Sequence, residues 1–280
     1  MKTLTSILVL LFGLQAATAQ PLQRVAPEQA GLDSRKLMYA DEAIETAIAG
    51  KEIPGAVLAV VRNGKMAYLK AYGNKRIYPD TEPMTVNTVF DMASCSKSIS
   101  TAVCTMILAE RGKIRLLDPV SRYIPDFKDW ESKDGKDKKV IRIADLLTHS
   151  SGLPPYAPEL EQKYGSHNPA GLMEYIAGCK RDFKPQTGFQ YSCLNFITLQ
   201  HIIEAVSGQS LRDFARENVF DVLGMKHTDY LPCLRDKNGK WINTVPLPEN
   251  IAPTEKQPDG QVLCGQVHDP LARILHGGIS

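Results

Sequence analysis

The stretch FDMASCSKSISTAV, residues 90–103, sets Ser94, Cys95, Ser96 and Lys97 at the mouth of an apolar segment. Between residues 96 and 111 the apolar positions Ile99, Ala102, Val103, Met106, Ile107 and Ala109 recur at helical spacing, and Gly112 ends the run. They cover most of the helix circumference, so the pattern predicts a buried helix. Ser94 and Lys97 are three residues apart, which places them on one face, one turn apart. An amine held there can take the hydroxyl proton if burial and neighbours keep it neutral. A serine at a helix N-terminus also offers its own N–H to a developing oxyanion. The same letters describe an ordinary cap followed by a surface lysine. Spacing alone leaves both readings open.

Working outward, residues 34–49 place Leu37, Ala40, Ala43, Ile44 and Ala47 at helical spacing, with Ser34 as a candidate cap. Pro54 and Gly55 break that pattern. Residues 56–61 and 66–72 are β-prone runs around Asn63-Gly64, which reads as a hairpin. Downstream, helical patterns cover residues 141–148, 169–179, 194–206 (ended by Gly208) and 211–222, whereas residues 128–139 read as a charged loop. After residue 231 turn formers dominate, with room for short strands only. A hairpin followed by many helices predicts an α+β fold, with a helical lobe joined to an antiparallel sheet.

Composition excludes several function classes. The chain has 280 residues, a net charge of +2 and 43% hydrophobic content, which fits a soluble globular protein and gives no basic tract for nucleic acid. At the N-terminus, Lys2, the apolar residues 4–14 and the small-x-small Ala17-Thr18-Ala19 read as an export signal over residues 1–19, leaving a domain over 20–280. That run is too short for a membrane span, which needs about 20 residues. The expected location is periplasmic or secreted. Six cysteines (Cys95, Cys104, Cys179, Cys193, Cys233 and Cys264) would then meet an oxidising compartment; none shows CxxC spacing, and sequence does not choose a pairing.

Other chemistry-bearing residues are sparse. Tyr191, between TGFQ and a helix, is a candidate proton shuttle or a half-buried aromatic. The histidines form no HExxH or other metal-ligand pair, so no metal or cofactor is expected. His149, in LLTHSSGLPP, reads as a brace for a turn. There is no GxSxG elbow.

Six segments then occur in order: IPGAVLAVVRNGKMAYLKAYG, FDMASCSKSIS, LLDPVSRYIPDF, IADLLTHSSGLP, FQYSCLNFITLQHIIEAVSGQSL and VFDVLGMKHTDY. Together they resemble the serine β-lactamase and penicillin-binding-protein-like superfamily, in its class C-like branch of β-lactamases, D-alanyl-D-alanine carboxypeptidases, D-aminopeptidases and esterases. The resemblance runs from about residue 25 to the end. It implies the β-lactamase/transpeptidase-like fold, with Ser94 as the acylated nucleophile, Lys97 as the lysine of the SxxK motif and Tyr191 as the tyrosine of the Tyr-x-Asn motif. The implied chemistry is acyl transfer through a serine ester followed by attack of water, on D-alanyl peptides, β-lactams or small esters.

Two departures stand out. Cys193 occupies the place of the motif's asparagine, a residue that would contact both lysine and substrate; Asn195, two residues on, faces elsewhere on the helix and does not replace it. The family's final Lys- or His-Thr/Ser-Gly strand is missing, with only a loose match at His276-Gly277-Gly278. The expectation is therefore a chain truncated at its C-terminus, lacking later sheet strands and leaving a hairpin edge unpaired. Cys95 and Cys193 each adjoin a proposed catalytic residue, so a disulfide between them would stiffen or block the site. A non-catalytic protein that holds penicillin or cell-wall peptide, or an inactive fragment, is the alternative.

Overall fold

The computed structural model describes residues 21–157, 168–275 and 279. The expected export signal and the match at residues 276–278 lie outside them.

Apolar periodicity builds the first layer. Helix α1 (Ser34–Ala49) has the expected bounds, but its cap is Asp33, whose carboxylate accepts from the Arg35 N–H at 3.0 Å; Ser34 is already helical. The hairpin pairs β2 (Gly55–Arg62) with β3 (Lys65–Arg76) in antiparallel register, from Gly55 opposite Gly73 to Arg62 opposite Lys65. At its open end a side chain on Gly55 would meet the Asn74 and Tyr72 carbonyls at 2.5 Å, so only glycine fits. Strand β1 (Gln23–Arg24) runs parallel to the start of β3, and β4 (Glu82–Pro83) pairs its far end. The outer edge of β2 has no strand partner among the described residues. The Asp41 carboxylate ties α1 to the sheet by accepting from the Tyr68 hydroxyl (2.7 Å) and the Tyr72 hydroxyl, with Lys70 at 3.2 Å.

The second layer is the helical lobe. Its core joins α2 (Ala102–Glu110), α3 (Ile143–Leu147), α4 (Pro169–Gly178), α5 (Cys193–Ser207) and α6 (Leu211–Ala215). Ile141, Ile143, Leu146, Leu172, Leu194 and Leu199 are fully buried there. Gly208, with φ +72°, closes α5 in the left-handed conformation expected of it.

Four local readings change. Helix α2 is not buried all round: Cys104, Thr105 and Leu108 face the lobe, while Val103 and Met106 are 37% and 48% exposed. Its first turn, Lys97–Thr101, is a wider π-turn, an irregularity common at functional sites. The charged loop contains a short antiparallel ribbon of β5 (Trp130–Glu131) and β6 (Lys138–Lys139), pinned where the Asp129 carboxylate accepts from the Ile141 N–H. The 211–222 helix narrows to α6 and a π-turn, Arg216–Phe220. Downstream, β7 (Cys233–Arg235) pairs β8 (Trp241–Asn243), β9 (Glu255–Lys256) pairs β10 (Val262–Leu263), and α7 (Pro270–Ile274) returns to the lobe. Short elements are what a segment rich in Pro, Gly, Asn and Asp can form.

Candidate active site

Ser94 lies in the turn before α2. Two features hold that turn. The Asp91 carboxylate accepts from the Ala93 N–H at 2.8 Å, and Ala93 takes φ +45°, a conformation uncommon for a residue with a side chain. Buried Ile279 then clamps the turn from outside: its carbonyl accepts from the Met92 N–H at 2.8 Å, and its N–H donates to the Ser96 hydroxyl at 3.1 Å. Ser94 is left exposed, and its own N–H has no hydrogen-bond partner among the described residues.

The two readings of the Ser94–Lys97 spacing now separate. Lys97 turns back toward Ser94, and its amine donates to the Ser94 hydroxyl at 3.1 Å. It is half-buried rather than splayed into solvent. Its Nζ also lies 5.4 Å from the Tyr191 ring centroid, within cation–π range. Tyr191 stacks on His149, with ring centroids 4.6 Å apart.

His149 acts as the expected brace. Its φ is +55°, and its Nδ1 accepts from the Ser192 N–H (3.2 Å) and the Asn195 amide (3.1 Å). It thereby fixes the peptide that carries Tyr191 to the start of α5. Burial holds His149 below the usual imidazole range, and the nearby Lys97 charge adds to the effect. Asn195 is fully buried against Ser151, whose hydroxyl donates to its carbonyl oxygen at 2.6 Å, so it does not reach the site.

Cys193 takes the asparagine's place. All six cysteines are free, so Cys95 and Cys193 form no disulfide. The Cys193 thiol lies instead within the electrostatic reach of the Asp269 carboxylate and the Lys97 amine. Burial pushes this thiol up; Lys97 pulls it down, and Asp269 raises it further. Asp269 also caps α7, accepting from the Leu271 and Ala272 N–H groups. Sequence reading missed this residue, although an aspartate just before a proline is the usual start of a helix.

A mostly apolar cavity of about 80 Å³ opens beside these groups, with Ser94, Lys97, Cys193, Phe196, His268 and Asp269 in its wall. Chemically the arrangement offers an exposed hydroxyl, an amine hydrogen-bonded to it, a backbone N–H without a partner among the described residues and a mostly apolar wall. Those are the components of nucleophilic acyl transfer.

The serine–lysine pair ahead of α2, in a chain that joins an antiparallel sheet to a helical lobe, agrees with the comparisons with known proteins. Residues 40–261 match the Beta-lactamase family, and the chain belongs to it. A relative described as "N-acetylmuramyl-L-alanine amidase" of Bacillus subtilis (strain 168) is 33% identical over 90% of this chain and 60% of its own length. A "Putative D-alanyl-D-alanine carboxypeptidase" of Salmonella agona (strain SL483) is 32% identical, covering 99% of this chain and 68% of that protein. The structure of a class C β-lactamase superposes with a TM-score of 0.65 at 26% identity, over 88% of this chain and 61% of that one. The chain thus spans about three fifths of the length of two of these three proteins. The fold expected from the sequence is the one found. No described helix is long and apolar enough to cross a membrane.

Proposed function

We propose that the protein is an exported serine hydrolase that cleaves amide or ester bonds through an acyl-enzyme, with residues 1–19 as its signal and 20–280 as β-lactamase-related domain. One observation carries the catalytic reading: the 3.1 Å hydrogen bond from Lys97 to Ser94. On this reading Lys97, as the free amine, takes the Ser94 proton while Oγ attacks the substrate carbonyl. The Ser94 N–H faces the oxyanion. Tyr191, next to Lys97, relays the proton to the leaving group. Water then adds to the ester carbon and the serine is restored.

The substrate class follows from two supports. The site is small and mostly apolar around one amine, which suits a small acyl group. The amidase and carboxypeptidase named among the relatives add cell-wall peptides, D-alanyl peptides foremost, to β-lactams and small esters.

Cys193 favours a second reading. A thiol orients a substrate amide less well than an asparagine would, which suits a protein that binds such ligands without turning them over. Incubation with a fluorescent penicillin or a fluorophosphonate separates the two. The hydrolase reading expects covalent label on Ser94 and none on Ser94→Ala. Reversible binding without label would establish the second reading instead.

A further inference from the structure

We propose that His268, oriented by Asp91, is a second acid–base group of this site and activates the water that releases the acyl group from Ser94. The inference rests on the reading of Ser94 as nucleophile.

Its basis is a buried carboxylate with unmet needs. The Asp91 side chain is only 7% exposed. One oxygen accepts from Ala93, in the turn that presents Ser94. The other, Oδ2, is buried and makes no hydrogen bond, and such groups call for an explanation. His268 Nδ1 stands 3.7 Å from it. That is too long for a hydrogen bond in the resting protein, yet close enough to favour a proton on Nδ1. The Nε2 lone pair is then free for another proton, the tautomer logic by which a carboxylate orients a catalytic histidine. Hydrogen bonds of this kind often shorten only once substrate is bound.

The peptide carrying the ring is held firmly. The buried Arg273 guanidinium donates to the Val267 carbonyl and, at 2.8 Å, to the His268 carbonyl. The next residue, Asp269, is fixed by its cap, its carboxylate accepting from the Leu271 and Ala272 N–H groups. His268 and Asp269 therefore share the wall of the cavity that holds Ser94, Lys97 and Cys193.

The position also suits water. His268 lines the cavity of Ser94 and also a second hollow of mixed polarity whose wall includes Arg235, Trp241, Gln257 and Arg273. Among the described residues it is the one that lines both, and its side chain is 46% exposed. In the step, Nε2 takes a proton from water as its oxygen bonds to the acyl carbon. The tetrahedral centre collapses, the carbon–Oγ bond breaks, and the proton passes to Ser94. The carboxylic acid leaves and the enzyme is unchanged.

The full chain reacting with p-nitrophenyl acetate tests this, because the nitrophenolate burst reads acylation and the later steady rate reads release. Intact mass locates the acetyl group. In His268→Ala the burst should persist, the steady rate should fall by about 100-fold and acetyl-Ser94 should accumulate. Added imidazole should restore part of the release, which a purely structural role would not permit. Asp91→Asn should slow release by about tenfold. Release within about twofold of the unsubstituted rate in both variants overturns the inference, as does a parallel loss of burst and melting temperature in both. Accumulation without imidazole rescue overturns it too. A missing Ser94 adduct in the unsubstituted chain overturns the proposed function and this inference together, whereas an adduct released normally by the variants overturns this inference alone.

Discussion

The helical lobe and the sheet layer are built from similar residues and are sealed very differently. In the lobe, leucines and isoleucines of α3, α4 and α5 reach zero exposure. In the sheet layer, α1 has no buried residue at all, and on β2 and β3 only Ala67 and Tyr72 are buried. That layer relies instead on polar ties, with the Asp41 carboxylate gathering Tyr68, Tyr72 and Lys70. Helix α2 has one face in the lobe and leaves Val103 and Met106 partly exposed on the other. The contrast teaches where the site gets its rigidity. Lys97 and Cys193 project from helices anchored in the lobe, and Ser94 sits on the turn before α2, clamped by Asp91 and Ile279.

The largest effect should come from that turn. Ser94→Ala should cut kcat/KM for acyl hydrolysis by about 1,000-fold or more while leaving the melting temperature unchanged. A large drop in melting temperature would mean that the turn, not the chemistry, depends on this serine.

Next come substitutions that set lobe against sheet. Leu199→Ala should destabilise by about 2–5 kcal/mol, because it empties a fully buried position. Ile44→Ala on α1, only half-buried, should cost about 1 kcal/mol. Chemical denaturation of the two variants checks this, and the reverse order would break the comparison.

A smaller change is expected at the thiol. Cys193→Asn should raise turnover of an amide substrate by about tenfold, the worth of one net hydrogen bond. Turnover that falls instead would give the Asp269–Cys193–Lys97 contacts a role of their own. The smallest effect concerns pH. The fold holds His149 below its ordinary range, so the unfolded chain binds the proton more readily. Stability contributed by the neutral ring is present above about pH 6.5 and is lost as pH falls through the lower, folded value. His149→Gln should flatten that acid-side decline of melting temperature, and an unchanged slope would assign it to other groups.

Much of this was legible in the sequence, for reasons that differ by element. Helix α1, the hairpin about Asn63-Gly64 and α5 announce themselves through periodicity, a tight turn and a glycine stop, all local signals. Ser94 and Lys97 could be paired because a three-residue spacing at a helix start brings side chains to one face, and the turn before α2 keeps them within hydrogen-bond reach. What stayed hidden is non-local. Nothing near Cys193 says that Asp269 meets it from another element. Nor does FDMAS reveal that Asp91 faces His268, far along the chain. The exposed face of α2 was misread because an apolar residue marks what a helix could bury, not what lies beside it.

The central claim is that Lys97 activates Ser94, and one measurement addresses it directly. The unsubstituted chain, Lys97→Met and Ser94→Ala are each incubated with a fluorophosphonate, and adducts are located by peptide mass. The expected result is label on Ser94 in the unsubstituted chain, none in Ser94→Ala, and labelling at least about 100-fold slower in Lys97→Met. Label on Ser94 at an unchanged rate in Lys97→Met would contradict the claim.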